Sequence, residues 1–350
     1  ITKEDGLEYK IVVSKIIITG VNSDVINIEI PDEIDGKPVT RIADNAFSHM
    51  TDLMSVKLGA NIKTIGGEAF ANSSIKEITI PNTVTDVEHQ CFKNCSNLYS
   101  VKWNSDCAIP YKCFVGCSSL KHFDFSKCKG IERWAFSFSG IKEITIPNNV
   151  KLIKEGAFFR CEMLEKVKWE AETSTIADST FSGCKNLKKF NFGNIDVIGL
   201  YVFSKSGLEE VDLSSNTKEV HSNAFSDCLN LKKVTWGCPC IIPCEAFAGC
   251  SNLEDVCITS VNTFRYGNFI SEDAFDECEK VQVHYGIDLV KTLKERYPKG
   301  TKIYINSISV ERGSIGEVLM VDDIGTLHCR FDNGRMLDVI PKVDSFRKIE

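Results

Sequence analysis

No stretch of this 350-residue chain approaches the roughly 18 uninterrupted apolar residues that a membrane-spanning helix needs. Even "YKIVVSKIIITG" (9–20) is broken by Lys and Ser, so no membrane span is expected. A basic surplus is missing too: 41 Lys and Arg face 48 Asp and Glu, a net charge of −7 with the signs interspersed. That balance argues against nucleic-acid binding along the main body of the chain. Histidine is scarce, and none of His49, His89, His122, His221, His284 and His328 stands in H-E-x-x-H or another metal-ligand spacing. A G-x-S-x-G elbow, a P-loop and a Gly-rich dinucleotide fingerprint are also absent. No enzyme and no cofactor are expected. The chain opens on Ile1 without a basic-then-apolar leader, so any signal peptide was removed or never existed, and the N-terminus leaves secretion undecided.

What is present is apolar content and repetition. Hydrophobic residues make up 43% of the chain, enough for a large core. "IKEITIP" occurs at 75–81 and again at 141–147, each copy inside a longer matching frame. Aligned on the Phe of an "AF"-like pair, the chain shows Phe47, Phe70, Phe92, Phe114, Phe136, Phe158, Phe181, Phe203, Phe225, Phe247 and Phe275. The spacing is about 22 residues until a longer last step, inside the range of leucine-rich repeats. After each Phe comes a turn and then a run such as "LKHFDF" (120–125), "LEKVKW" (164–169) or "LKKVTW" (231–236). Alternation in these runs points positions one, four and six into a core, as a half-buried strand requires. One unit cannot bury its own apolar face; stacking creates the core.

These residues resemble the BspA-like leucine-rich repeat family, whose units read approximately "IP..V..I...AF..C..L..V". The match spans 25–283. The resemblance implies a solenoid and a binding surface rather than a reaction, with members often secreted or displayed. A longer period runs through it: Trp103, Trp169 and Trp236 recur at steps of 66 and 67, and Ser replaces Cys in the unit that opens each triplet. The pattern implies duplication of a three-unit cassette.

Cys95, Cys117, Cys161, Cys184, Cys228, Cys250 and Cys278 all fall three residues after the repeat Phe. The expected role is a buried column of small apolar side chains, with disulfides between rungs as the alternative. "GCPCIIPC" (237–244) is the most metal-like stretch, with Cys238, Cys240 and Cys244, and Cys250 and Cys257 beyond, but its spacing fits neither zinc-ribbon pairs nor common cluster runs. Cys240 occupies the slot of Cys107 and Ser174 in the other cassettes.

With no reaction to assign, the candidate binding residues are those on the solvent side of the strands: Lys102, His122, Asp124, Lys166, Lys168, Lys189, Asn191, Glu210, Asp212 and Lys233. Lys166, Lys168 and Lys189 form a local basic cluster. Elsewhere basic and acidic rungs alternate, and cross-rung pairs worth about 0.2–1 kcal/mol each would stabilise the sheet whether or not a ligand reads it.

After "EDAFDECEKVQVHYG" the period ends. Asp288 reads as the N-cap of a helix stopped by Pro298, expected to close the solenoid. From Lys299 short strands follow, with Asn333-Gly334 as a hairpin signal. They suggest a small SH3-like barrel. "VDDIGTLHCRFDNGRMLDVIPKVDSFRKI" resembles a bacterial and phage family of small barrels of unknown function, matching over 321–346 and departing at Cys329 and Phe331. Asp322, Asp323, Asp332 and Asp344 could form a cation site there, or serve as turn residues.

The expected fold is an α/β repeat solenoid, a leucine-rich repeat array of about eleven 22-residue units with a parallel sheet, followed by the barrel. Its parts are an N-terminal cap (1–24), repeats (25–283), a capping helix (284–298) and the barrel (299–350). The expected function is a monomeric, non-catalytic scaffold or adhesion-type protein for a protein or glycan partner. The alternatives are a nucleic-acid-associated protein acting through the barrel and an unrecognised metal-binding protein. Unpaired cysteines and the barrel point to the cytoplasm; the repeat family points to the cell surface.

Overall fold

The computed structural model describes residues 2–4, 6–21, 25–213, 216–259, 270–305, 315–322, 326–331, 336–339 and 346–348. They divide into two compact units, Ile1–Lys188 and Lys189–Glu350. Both are built from the same three-sided coil, giving a β-solenoid of about eleven turns in all.

The first side is a strand. In the first unit Asn27–Glu29, Ser55–Lys57, Glu77–Ile80 and Ser100–Trp103 form a four-stranded parallel sheet, and Glu143–Ile146 pairs with Lys166–Trp169. The second unit has Glu210–Asp212, Lys233–Trp236, Asp255–Ile258 and Gln282–Tyr285 in one parallel sheet. Register follows the repeat: Glu77 lies opposite Ser100 and Thr79 opposite Lys102. Alternation buries Ile75, Ile78 and Ile80 in one coil and Leu253, Val256 and Ile258 in another, leaving the intervening side chains toward solvent.

The second side is a two-residue strand, such as Thr64–Ile65 beside Asp86–Val87, or Val197–Ile198 beside Glu219–Val220. At the N-terminal end the antiparallel hairpin of Leu7–Val12 and Lys15–Val21 joins this side, with Lys15–Val21 running parallel to Lys37–Ile42. Asp35 and Gly36, both at positive φ, turn the chain between Glu33–Ile34 and Lys37–Ile42, the two-residue hairpin geometry that Asp-Gly favours.

The third side is an arc around the repeat Phe. The residues two before and two after it are left-handed in most coils: Gln90 (φ 55°) and Asn94 (57°) flank Phe92, and Asn223 (58°) and Asp227 (56°) flank Phe225. Many of these sites hold Asn or Gly, which tolerate that region; Trp134 (59°) and Tyr201 (55°) are held there too. Alternating handedness aims every second N–H at the next coil: Gln90 N–H donates to the Tyr111 carbonyl (2.8 Å), Phe92 to Cys113 (3.0 Å) and Asn94 to Val115 (2.7 Å). Donors bonded between coils are not available for i→i−4 bonding, so the arc does not wind into a helix. Among the described residues the one α-helix is Ile287–Arg296, outside the repeats.

Inside the arcs the phenylalanines stack. Ring centroids from Phe47 through Phe181 lie 5.2–5.8 Å apart in the first unit, and those of Phe203, Phe225, Phe247 and Phe275 lie 5.3–5.6 Å apart in the second. Offset stacking adds about 0.5–1.5 kcal/mol per pair beyond area burial.

Two expected strands are absent. Residues 120–125 ("LKHFDF") and 187–192 ("LKKFNF") have no ladder. In both, the residue between the two phenylalanines bends the chain: Asp124 Oδ1 accepts the Ser126 N–H and Asn191 Oδ1 accepts the Gly193 N–H, each at 2.9 Å. Such local bonds compete with a ladder. The carbonyl that ends the first run is also taken, since Asn149 Nδ2 donates to Phe125 (3.3 Å) as well as to Cys128 (2.8 Å).

Beyond the repeats, Gly286 is the N-cap of Ile287–Arg296 and its carbonyl accepts the Val290 N–H (3.0 Å). Asp288 therefore lies inside the first turn and does not cap it: the extended Gly286 already supplies the carbonyl that starts the helix. The helix packs on Ile315–Val321. Five antiparallel strands follow in the order Met336–Val339, Leu327–Phe331, Ile315–Val321, Lys302–Ile305, Phe346–Lys348. Asn333-Gly334, Asp323, Asp332 and Asp344 lie outside the described residues. Asp322 is a turn residue, its carboxylate accepting the Thr326 N–H at 2.8 Å.

Candidate functional site

Strand pleating in the first unit puts Ser55, Lys57, Glu77, Thr79, Ser100 and Lys102 on one face, where they line a shallow groove of about 490 Å³. Apolar partners of the same strands hold it from beneath. Lys57 is paired with Glu29 at 2.5 Å, which pushes its ammonium pKa up. Among the described residues, Glu77 and Lys102 stand in no ion pair.

The other candidates are distributed differently. His122 and Asp124 line a smaller depression of about 250 Å³ with Glu143 and Thr145, and there Asp124 is engaged by its own turn. Lys166 binds Glu143 at 2.9 Å; the pair holds Glu143 below the ordinary carboxylate value and raises Lys166. Lys168 binds Glu170 (2.6 Å) and Lys233 reaches Asp255 (3.9 Å). Glu210 lies opposite Lys233 and Asp212 opposite Thr235 in register. Asn191 is occupied in its turn. Lys166 and Lys168 belong to the first unit and Lys189 to the second, so neither unit by itself contains the three-lysine cluster.

The cysteine column is a hydrogen-bonded one. Each buried thiol donates to the carbonyl of the Phe one coil earlier: Cys95 to Phe70 (3.0 Å), Cys117 to Phe92 (3.1 Å), Cys161 to Phe136 (3.0 Å), Cys184 to Phe158 (3.3 Å), Cys228 to Phe203 (3.1 Å), Cys250 to Phe225 (3.1 Å) and Cys278 to Phe247 (3.1 Å). Burial pushes Cys95 up to about 11 and Cys161 up to about 12, so neither is a nucleophile at neutral pH. Where the cassette carries Ser, its hydroxyl meets the next thiol: Ser73 with Cys95 (3.6 Å), Ser139 with Cys161 (3.4 Å) and Ser206 with Cys228 (3.4 Å).

The "GCPCIIPC" stretch does not converge on one site. Cys238 and Cys240 are joined in a disulfide within one loop. Cys250 belongs to the buried column. Cys244 turns outward and donates to Asp273 Oδ2 at 2.7 Å, a bond that pushes the thiol up to about 11 and lowers Asp273. With Glu245 these two offer three ligand atoms within 4.8 Å of one another, all at the surface or half-buried. Asp273 lies 29 residues beyond Cys244, and only coil closure brings it there. Among the described residues no helix is long and apolar enough to cross a membrane.

Comparison with known proteins agrees with this architecture. Residues 21–139, 107–232 and 174–300 match the profile described as BspA type leucine-rich repeat region, in six copies. Residues 287–349, which take in the helix, match a domain of unknown function (DUF4314). None of the curated proteins matches the chain. Among solved structures, a leucine-rich repeat protein from Bacteroides ovatus is 24% identical over 80% of this chain and 81% of its own, with a TM-score of 0.51. The pneumococcal vaccine antigen PcpA is 14% identical over 84% and 95% (TM-score 0.49), and a leucine-rich cell-surface protein from Faecalibacterium prausnitzii is 17% identical over 73% and 94% (TM-score 0.30). With the coil, the stacked Phe ladder and the repeat profile spanning 21–300, the chain belongs to the BspA type leucine-rich repeat family.

Proposed function

We propose that this repeat scaffold acts without catalysis, by holding a protein partner on the strand face around Lys102. The observation that carries the reading is the groove over Ser55–Lys57, Glu77–Ile80 and Ser100–Trp103, where Glu77 and Lys102 have no ion-pair partner among the described residues while Lys166 and Lys233 on the same kind of face are neutralised by neighbouring rungs. An acid and a base set diagonally across adjacent strands suit a polar segment of mixed charge, and solenoid faces suit extended partners. Among the described residues no aromatic side chain lines the groove to stack on a sugar ring, which favours protein over glycan. The C-terminal strands, with the last paired to the first of the five, support a small barrel as an accessory domain.

The test is cross-linked recovery from native cells with wild type and a Glu77→Lys/Lys102→Glu variant, beside a glycan array. The variant is expected to lose at least ten-fold of the partner with an unchanged melting temperature. Equal recovery by both proteins, or array binding that the variant retains, would overturn the assignment.

A further inference from the structure

We propose that Cys238 and Cys240 form a reversible thiol–disulfide exchange site whose substrate is an accessible thiol on a second molecule. The inference is independent of the scaffold reading.

The pair sits in the loop between Lys233–Trp236 and the arc of Phe247, two residues apart and bridged. Fourteen other cysteines are free, most of them buried. The loop occurs in another cassette without the bridge. There Ser105 and Cys107 hold the places of Cys238 and Cys240, nine and seven residues before the repeat Phe. Ser105 Oγ lies 2.9 Å from Cys107 Sγ and accepts the Cys107 N–H at 3.1 Å; in the third cassette the Cys240 N–H points at Cys238 Sγ at 3.4 Å. The scaffold thus brings the two side chains together by itself. The Trp236 indole N–H holds the loop through the Cys240 carbonyl (3.2 Å), as Trp169 does through Thr173 (3.0 Å). A bridge spanning two residues also restricts the unfolded chain little compared with one closing a long loop. Neither folding nor loop shape accounts for it.

Access distinguishes the two sulfurs. Cys238 is 2% exposed, Cys240 is half-buried, and Pro239 between them is exposed. An incoming thiolate therefore reaches Cys240 Sγ. A bond forms between the two sulfurs, the Cys238–Cys240 bond breaks, and the electron pair leaves on Cys238 Sγ, where the Cys240 N–H stabilises the thiolate until it takes a proton. A second thiolate then attacks the incoming sulfur and releases Cys240. The balance is two external thiols oxidised to one disulfide, with two electrons and two protons taken up by the cysteine pair. Cys244, exposed nearby in sequence, does not compete, because its thiol stays protonated, donating to the Asp273 carboxylate.

The experiment equilibrates the purified protein in a series of reduced and oxidised glutathione mixtures, alkylates the thiols under native conditions and reads the intact mass. Wild type is expected to gain one alkylation site, at Cys240, between the oxidising and reducing ends, and the Cys238→Ser/Cys240→Ser variant none, with melting temperatures within a few degrees of each other. Cys238→Ser should carry a glutathione adduct at residue 240; Cys240→Ser, its remaining thiol buried, should stay unmodified. An unchanging wild-type mass, reduction only when the protein unfolds, or equal adducts on both single variants would overturn the proposal. A cysteine-bearing peptide run in parallel separates protein thiols from small ones, and an adduct with either supports exchange.

Discussion

Two rungs at the same place in the cassette behave differently. The run 120–125 ("LKHFDF") has no ladder, whereas 253–258 ("LEDVCI") contributes the strand Asp255–Ile258, paired on both sides. Both bury positions one, four and six, so burial does not separate them. The local hydrogen bonding of the middle residue differs. Asp124 folds its carboxylate onto the Ser126 N–H, while Cys257, with no carboxylate to offer, leaves the backbone extended opposite Thr235 and His284. The local hydrogen bond accompanies the turn, and the Phe rings pack where the ladder is missing: Phe123 and Phe125 lie 5.0 and 5.4 Å from Phe136.

If ring packing replaces the ladder, the largest effect belongs to Phe136, which touches both rings of the unladdered rung as well as the stack. Phe136→Ala is expected to cost about 3–5 kcal/mol in chemical denaturation; a loss no greater than that of Phe247→Ala, next to a laddered rung, would show that the rings add nothing there. The thiol column runs through both kinds of rung unchanged and provides a pH test. Burial raises Cys95 to about 11 from 9.0. As pH climbs, the unfolded chain loses its thiol protons first and the folded chain keeps them, so stability is complete below about pH 9 and falls between about 9 and 11. Cys95 alone accounts for about 3 kcal/mol over that window, and Cys95→Ser should flatten the alkaline limb of a melting-temperature profile. The smallest effect is at the turn. Asp124→Ala should cost about 1 kcal/mol and speed amide exchange at Ser126, whereas Asp124→Asn should be near neutral, because Asn191 makes the same turn in the next cassette.

Much of this was legible in the residues. A period of about 22 with Phe in one slot dictates stacking, because a single coil has nowhere else to put its apolar face, and strict alternation dictates which side chains face the sheet surface. What could not be read was the use each surface residue would be put to. Asp124 and Asn191 stand in a solvent-facing column and also form local turns; Lys233 has the cross-rung partner that the alternation of charges implies, whereas the partners of Lys166 and Lys168 needed the coordinates. The Cys238–Cys240 pair had a signal that went further than metal-ligand spacing: the register that equates Cys240 with Cys107 also equates Cys238 with Ser105.

By itself, then, the sequence determined the coil, its repeat length, its core columns and its family, since period and alternation are one-dimensional properties that burial converts directly into a stack. Only the tertiary structure decided the backbone between the columns. The left-handed arc, which holds even Trp134 at positive φ, exists because N–H groups find acceptors one coil away. Which charges pair, and which sulfurs meet, likewise depend on distances between residues 20 or more apart, or on a loop shape that the Trp236 indole holds.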